Sequence, residues 1–129
     1  MNIRERAMVL TGMAFPLGAI LGVVFGRLTT PTSTGGGFGD IIYVLLWFVI
    51  GAPLFATAVY FWSIRNLEWD TDSRLRARFN VLVGIGLGTV AHIVMLVMIG
   101  RTGNTALLLV MLPIGALIVT LFARRGLKA

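Results

Sequence analysis

Residues 79–99 read FNVLVGIGLGTVAHIVMLVMI, a run that contains no aspartate, glutamate, lysine or arginine. An α-helix needs about 20 mostly apolar residues to cross the hydrocarbon core of a bilayer, and this run is long enough. Its hydrophobicity is nearly continuous and does not alternate, which favours a helix over a strand of a membrane barrel. The run therefore predicts a transmembrane helix.

Three other runs share this character and cover about residues 7–26, 41–64 and 105–123. Of the 129 residues, 57% are hydrophobic and 12% are charged, whereas soluble domains carry about 25% charged residues. We therefore predict an all-α integral membrane four-helix bundle, with residues 1–129 forming a single four-span transmembrane domain. The first run is too long for a usual signal peptide core, so we expect it to be a retained span.

The basic residues predict how the chain is oriented. Two of them, Arg27 and Arg101, fall on one side of the predicted spans. The other nine fall on the opposite side and are Arg4, Arg6, Arg65, Arg74, Arg76, Arg78, Arg124, Arg125 and Lys128. Because positive residues concentrate on the cytoplasmic side, we expect both termini and the middle loop to be cytoplasmic. Such a bias also disfavours dual topology, and it gives no indication of nucleic-acid binding.

The middle loop places three arginines close to the start of the third span. We predict that the third helix begins near Arg74 with Asp72 or Ser73 as its N-cap. Arg74, Arg76 and Arg78 would then lie at the membrane surface and contact anionic lipid headgroups. The outer connection 28–39 is rich in glycine and threonine and is expected to be a flexible loop.

Small residues recur every four positions in two spans. The first span carries Ala14, Gly18, Gly22 and Gly26, and the third carries Gly84 and Gly88. Such faces let helix backbones approach closely, which drives helix packing in lipid. We expect these residues to form helix contacts within the chain or with a neighbouring chain.

Three spans contain a proline, at Pro16, Pro53 and Pro113. Proline lacks a backbone donor and its ring presses on the carbonyl four residues earlier, so a kink is predicted at each position.

His92 is the sole ionisable side chain well inside a predicted span. It follows Gly88 by four residues and should point into a helix contact, where a backbone carbonyl or a threonine such as Thr11, Thr57 or Thr89 could bond its ring. An intramembrane ionisable residue is also a functional candidate. His92, Met95 and Met98 share a broad helix face and are weak candidates for a haem or metal site. We expect no resident cofactor or metal, with haem as the alternative.

The expected function follows from what the spans contain. None of them holds the carboxylate that ion-coupled carriers commonly use, and no catalytic motif is present. We therefore expect no enzyme but a structural or accessory subunit, or a scaffold, in a cellular or viral membrane assembly. Its partners would be the bilayer and other membrane chains, or copies of itself. The alternatives are a haem- or quinone-linked anchor and a homo-oligomeric channel or carrier. A pore near the proline kinks would be lined by Thr11, Thr57, Thr89, His92 and Thr120.

Overall fold

The computed structural model describes residues 2–30 and 38–127, and these residues form four long α-helices. They are α1 (Ile3–Thr29), α2 (Phe38–Ile64), α3 (Thr71–Thr102) and α4 (Leu107–Arg125). All four are long and apolar enough to cross a membrane, as expected of a multi-pass membrane protein. The prediction of four long apolar helices is confirmed. The central part of the outer loop, residues 31–37, and Lys128 lie outside the described residues.

The third helix begins earlier than predicted, at Thr71. Its N-cap is Asp70, whose carboxylate accepts a hydrogen bond from the backbone N–H of Ser73 at 3.3 Å. The predicted N-cap at Asp72 or Ser73 is therefore wrong. Asp70 has the extended backbone of an N-cap residue, and hydrogen bonds from Ser73 hold the pKa of its carboxyl below the ordinary value. The first turns of α3 consequently precede the apolar run.

Hydrogen bonds at Gly103 and Asn104 shape the hairpin between α3 and α4. Gly103 adopts φ +68° and its N–H donates to the carbonyl of Ile99 at 2.8 Å. Only glycine adopts this left-handed conformation without a steric cost. Asn104 then accepts a hydrogen bond from the N–H of Ala106 at 3.1 Å. This turn delays the start of α4 to Leu107, two residues later than the predicted span.

The four helices are packed as antiparallel neighbours. In the α1–α2 pair, Gly26 lies beside Val44 and Gly18 lies beside Gly51, so the two helices run in opposite directions. The contact between α1 and α2 is the most extensive, followed by those of α3 with α4 and of α1 with α4. The contact between α2 and α3 is much smaller. The ring of helices is therefore open on its α2–α3 side.

Buried residues recur at steps of four along each helix, while large apolar side chains cover much of the outer surface. The α2 and α4 stripes are Phe48, Ala52, Ala56 and Tyr60, and Met111, Gly115, Val119 and Ala123. Two of the members of each stripe are alanine or glycine. The helix axes can therefore approach closely along these faces.

The small residues of α1 lie against α2. A Cβ atom on Gly22 would meet the carbonyl oxygen of Trp47, and one on Gly18 would meet that of Gly51. At Gly26 the added Cβ would lie 3.1 Å from the Cα of Val44. Ala14 is also buried. Backbone therefore lies directly on backbone along most of this helix pair.

Two glycines of α3 face other helices, and a third faces outward. A Cβ on Gly84 would lie 2.7 Å from the Cβ of Phe122 in α4, and one on Gly88 would lie 3.0 Å from the Cζ of Phe15 in α1. Gly86 is exposed, and its Cβ would meet no atom within 4 Å in the described part of the chain. Gly84 and Gly88 thus face inward, and Gly86 faces outward.

The three prolines lie inside α1, α2 and α4, and each helix continues through its proline. Pro113 is exposed on α4, whereas Pro16 and Pro53 are half-buried. The kinks at these positions stay predictions.

Replacing Gly22 by leucine should separate α1 from α2, because the side chain would collide with backbone that cannot rotate away. We expect Gly22→Leu to lower the unfolding free energy by about 1–3 kcal/mol. The measurement is SDS-induced unfolding in mixed micelles, followed by circular dichroism. Gly86→Leu is the control and should leave stability unchanged or slightly raised, since leucine favours helix more than glycine. Equal effects of the two substitutions would contradict this packing.

Candidate functional site: a buried histidine between four helices

His92 of α3 is fully buried at the point where all four helices meet. Its ring lies 4.8 Å from the ring of Phe15 in α1, with 51° between the planes. It lies 5.4 Å from the ring of Phe48 in α2, with 31° between the planes. Gly115 of α4 lies on the remaining side of the ring. Of the candidate residues predicted from the sequence, His92 contacts residues of all three other helices.

A glycine on α4 makes room for the imidazole. A Cβ atom on Gly115 would lie 2.6 Å from Nε2 of His92 and 2.9 Å from Cε1 of Phe15. Both distances are far shorter than the roughly 3.5–4.0 Å at which carbon atoms attract each other. Even the methyl group of alanine would therefore displace one of the two rings.

The ring nitrogens of His92 do not make the hydrogen bonds that were expected from the sequence. Neither Nδ1 nor Nε2 of His92 has a hydrogen-bond partner among the described residues. The backbone carbonyl of Met111 lies near the ring without the geometry of a hydrogen bond. The expectation that Thr11, Thr57 or Thr89 would bond the ring is therefore wrong.

The physical reason is that threonine hydroxyls in a helix reach their own backbone. Thr11 donates to the carbonyl of Ala7, and Thr89 donates to that of Ile85, both at 2.8 Å. This local bond competes with any bond across to another helix. The hydroxyl protons of Thr11 and Thr89 are consequently donated within α1 and α3 and not to the histidine.

The two methionines that follow His92 do not join it. Met95 is half-buried and packs against the core, whereas Met98 is 47% exposed on the outer surface. A ligand set for haem iron or a copper ion would need their donor atoms to converge on one point. The structure does not bring these three side chains together.

The space beside Nε2 of His92 is filled by α4. An axial ligand needs open space beyond its nitrogen, but Nε2 lies against the backbone of Gly115. Across residues 2–30 and 38–127, no three or more histidine, aspartate or glutamate side chains cluster as metal ligands would. In this arrangement the His92 ring packs against Phe15, Phe48 and Gly115.

A second candidate region lies where α1 begins and α2 ends. The guanidinium of Arg4 lies 4.9 Å from the ring centroid of Trp69 and donates to the carbonyl of Glu68 at 3.2 Å. This pair ties the start of α1 to the loop between α2 and α3. Cation–π contacts of this kind also hold Arg78 over Phe61, at 5.4 Å.

The three arginines predicted to contact lipid are exposed near the start of α3. Arg76 donates to the hydroxyl of Ser73 at 3.4 Å, and Arg78 covers Phe61. Arg74 precedes Arg78 by one helical turn. Their exposure leaves the guanidinium groups accessible to phosphate oxygens.

No protein family, curated protein or solved structure matches this chain.

Several residues of the site were not anticipated from the sequence. Phe15, Phe48 and Gly115 enclose the histidine, and Gly51 faces Gly18 across the α1–α2 contact. A signal for α2 and α4 exists in the sequence. Ala52 and Ala56 of the α2 stripe are four residues apart, and Gly115 and Ala123 of the α4 stripe are eight residues apart. The aromatic partners carry no such signal, since phenylalanine is as common on lipid-facing surfaces as in contacts.

The fit of His92 against Gly115 can be tested by a double-mutant cycle. Gly115→Ala should destabilise the chain by about 1–3 kcal/mol through overpacking, and His92→Ala should destabilise it by leaving a cavity. In the double variant the new methyl group occupies freed space, so we expect a favourable coupling of about 1 kcal/mol or more. The measurement is SDS-induced unfolding of all four proteins.

The matched control pairs His92→Ala with Gly100→Ala, since Gly100 is an exposed α3 residue whose Cβ would meet no described atom within 4 Å. That pair should be additive. Additivity in the Gly115 cycle would show that the ring and the glycine do not share this space.

Proposed function

We propose that this protein is a structural or accessory subunit, or a scaffold, of a larger membrane assembly in a cell or a viral envelope. In this proposal it forms a four-helix bundle in the bilayer with both termini in the cytoplasm. Its partners are the lipids around it and other membrane chains. We propose that it carries no catalytic centre and no resident cofactor.

The observation that carries the proposal is the open α2–α3 side. A groove of about 370 Å³ lies there, between two helices that touch each other only slightly. It is lined by Ile42, Leu45, Leu46, Val49, Ile93, Leu96 and Val97. A transmembrane helix seated in this groove would contact α2 and α3 at once, and van der Waals packing of this kind drives helix association in lipid.

The interior of the bundle supports the same proposal. Phe15, Phe48 and Met111 fill the centre around His92, and all of them are buried. Large side chains therefore occupy the level where a central pore or a cofactor would have to lie. The outer surface is left as the part of the molecule with which other chains can interact.

The channel alternative is less well supported by the same residues. Thr120 lies against Gly12 and donates to the carbonyl of Ala116 at 2.7 Å, so its hydroxyl is already engaged. Thr11 and Thr89 are engaged in the same way within their own helices. The homo-oligomeric alternative places the pore between copies of the chain.

The proposed orientation can be tested by labelling, because the chain contains no cysteine. Single variants Asn66→Cys and Asn104→Cys place one thiol in the α2–α3 loop and one in the α3–α4 hairpin. In intact cells, a membrane-impermeant maleimide should label residue 104 and should reach residue 66 only after permeabilisation. The reverse pattern would place the termini outside, against the charge bias.

The proposed docking groove can be tested by crosslinking in the native membrane. Leu46→Cys and Val97→Cys carry a photoreactive maleimide into the groove, at positions whose side chains are 55% and 54% exposed. Leu117→Cys on α4 is a matched control, because Leu117 is 59% exposed but lies outside the groove. We expect adducts to another membrane protein at residues 46 and 97, and none or far fewer at residue 117.

Two outcomes would contradict the subunit proposal. Adducts of twice the mass of the chain would indicate a homo-oligomer and favour a channel, a carrier or an envelope scaffold over an accessory subunit. Equal crosslinking at all three positions, or lipid adducts alone, would show that the α2–α3 side is not a specific docking surface.

A further inference from the structure

A cleft of about 280 Å³ opens at the end of the molecule where α1 begins and α2 ends. It has a polar part and an apolar part. The polar part includes Arg6, Ser63, Arg65 and Asn66, and the apolar part includes Leu10 and Trp62. Such a division resembles the division of a phospholipid into headgroup and acyl chains.

The polar part of the cleft is built for an anion. Arg6 and Arg65 come from different elements, and no carboxylate is among the residues that line the cleft. The guanidinium of Arg65 lies 5.4 Å from the ring centroid of Trp62, which holds it at the rim. A guanidinium group binds phosphate oxygens through two parallel hydrogen bonds. The side-chain amide of Asn66 adds a further donor.

Neighbouring polar groups are engaged elsewhere. Arg4 is held over Trp69 and donates to the carbonyl of Glu68. The hydroxyl of Ser63 donates to the carbonyl of Tyr60 at 3.1 Å. The groups left to meet an anion in the cleft are therefore Arg6, Arg65 and Asn66.

The apolar part of the cleft continues onto the outer face of the helices. Leu10 is 48% exposed and Trp62 is 60% exposed. Tryptophan commonly lies at the boundary between headgroups and hydrocarbon. Leu10 lies one helical turn further along α1 than Arg6, on the side of the hydrocarbon.

We infer that this cleft binds the phosphodiester of one anionic phospholipid, with an acyl chain lying along Leu10. The inference rests on the membrane location proposed above, but it does not depend on the subunit role. The cleft is separate from the exposed arginines of α3, since Arg74, Arg76 and Arg78 do not line it. It is a defined site for one lipid, whereas those arginines form an open surface.

Native mass spectrometry of the purified chain in mild detergent tests the site. The probes are palmitoyl-oleoyl-phosphatidylglycerol and palmitoyl-oleoyl-phosphatidylcholine, and the variant is Arg6→Gln/Arg65→Gln. A basic residue near an anionic headgroup changes lipid affinity by about fivefold, so we expect phosphatidylglycerol binding to fall about 25-fold in the double variant. Binding of phosphatidylcholine should be weak and unchanged.

The matched control is Arg124→Gln/Arg125→Gln, which removes two exposed arginines from the end of α4, at the same end of the molecule. It should retain phosphatidylglycerol like the unmodified chain. Circular dichroism during SDS titration should show equal stability of both double variants, because all four arginines are exposed.

Three results would overturn the inference. Unchanged phosphatidylglycerol binding in Arg6→Gln/Arg65→Gln would remove the site. Equal losses in both double variants would reduce it to diffuse surface charge. Retention of inorganic phosphate without retention of phosphatidylglycerol would make free phosphate the ligand and exclude a lipid site. Each result is independent of crosslinking at residues 46 and 97, so failure of this inference can be distinguished from failure of the proposed function.

Discussion

The backbone contact between α1 and α2 at Gly18, Gly22 and Gly51 is the constraint on which the remaining packing depends. Water cannot drive helices together inside a bilayer, so close van der Waals contact must supply the association energy. A side chain at any of these glycines would meet backbone that cannot move aside. The close approach fixes α1 against α2, and it brings Phe15 and Phe48 to the level of His92. α3 and α4 then close around this centre through Gly84, Gly88 and Gly115.

The histidine at the centre illustrates how this packing limits function. Its ring is enclosed by two phenylalanines and one glycine, and its nitrogens have no hydrogen-bond partner within the described ranges 2–30 and 38–127. Removing polar groups from water without a partner costs free energy, and the surrounding contacts offset part of that cost. Packed side chains thus fill the centre of the bundle. The surfaces left for interactions with other molecules are the open α2–α3 side and the end where α1 begins and α2 ends.

The sequence was sufficient to predict the four apolar helices, because hydrophobic length alone determines whether a segment can span a bilayer. It did not predict that α3 begins at Thr71, because the four consecutive residues 70–73 are all of types that can cap a helix and only the backbone geometry selects Asp70. The sequence also suggested that a threonine hydroxyl could bond the histidine ring. In the structure, Thr11 and Thr89 each donate to a carbonyl of their own helix. The roles of Gly51 and Gly115 depend on which helices become neighbours, and spacing within one helix does not contain that information.

The central functional claim is that this chain works as part of a larger membrane assembly. Native mass spectrometry of the complex extracted in mild detergent from its own source tests it most directly. The account predicts that other protein chains are retained with it in fixed stoichiometry and that no haem-sized mass is added. A lone chain would contradict this role. A pure homo-oligomer would contradict an accessory subunit and favour a channel, a carrier or an envelope scaffold. A stoichiometric haem adduct would show that His92 serves as a ligand.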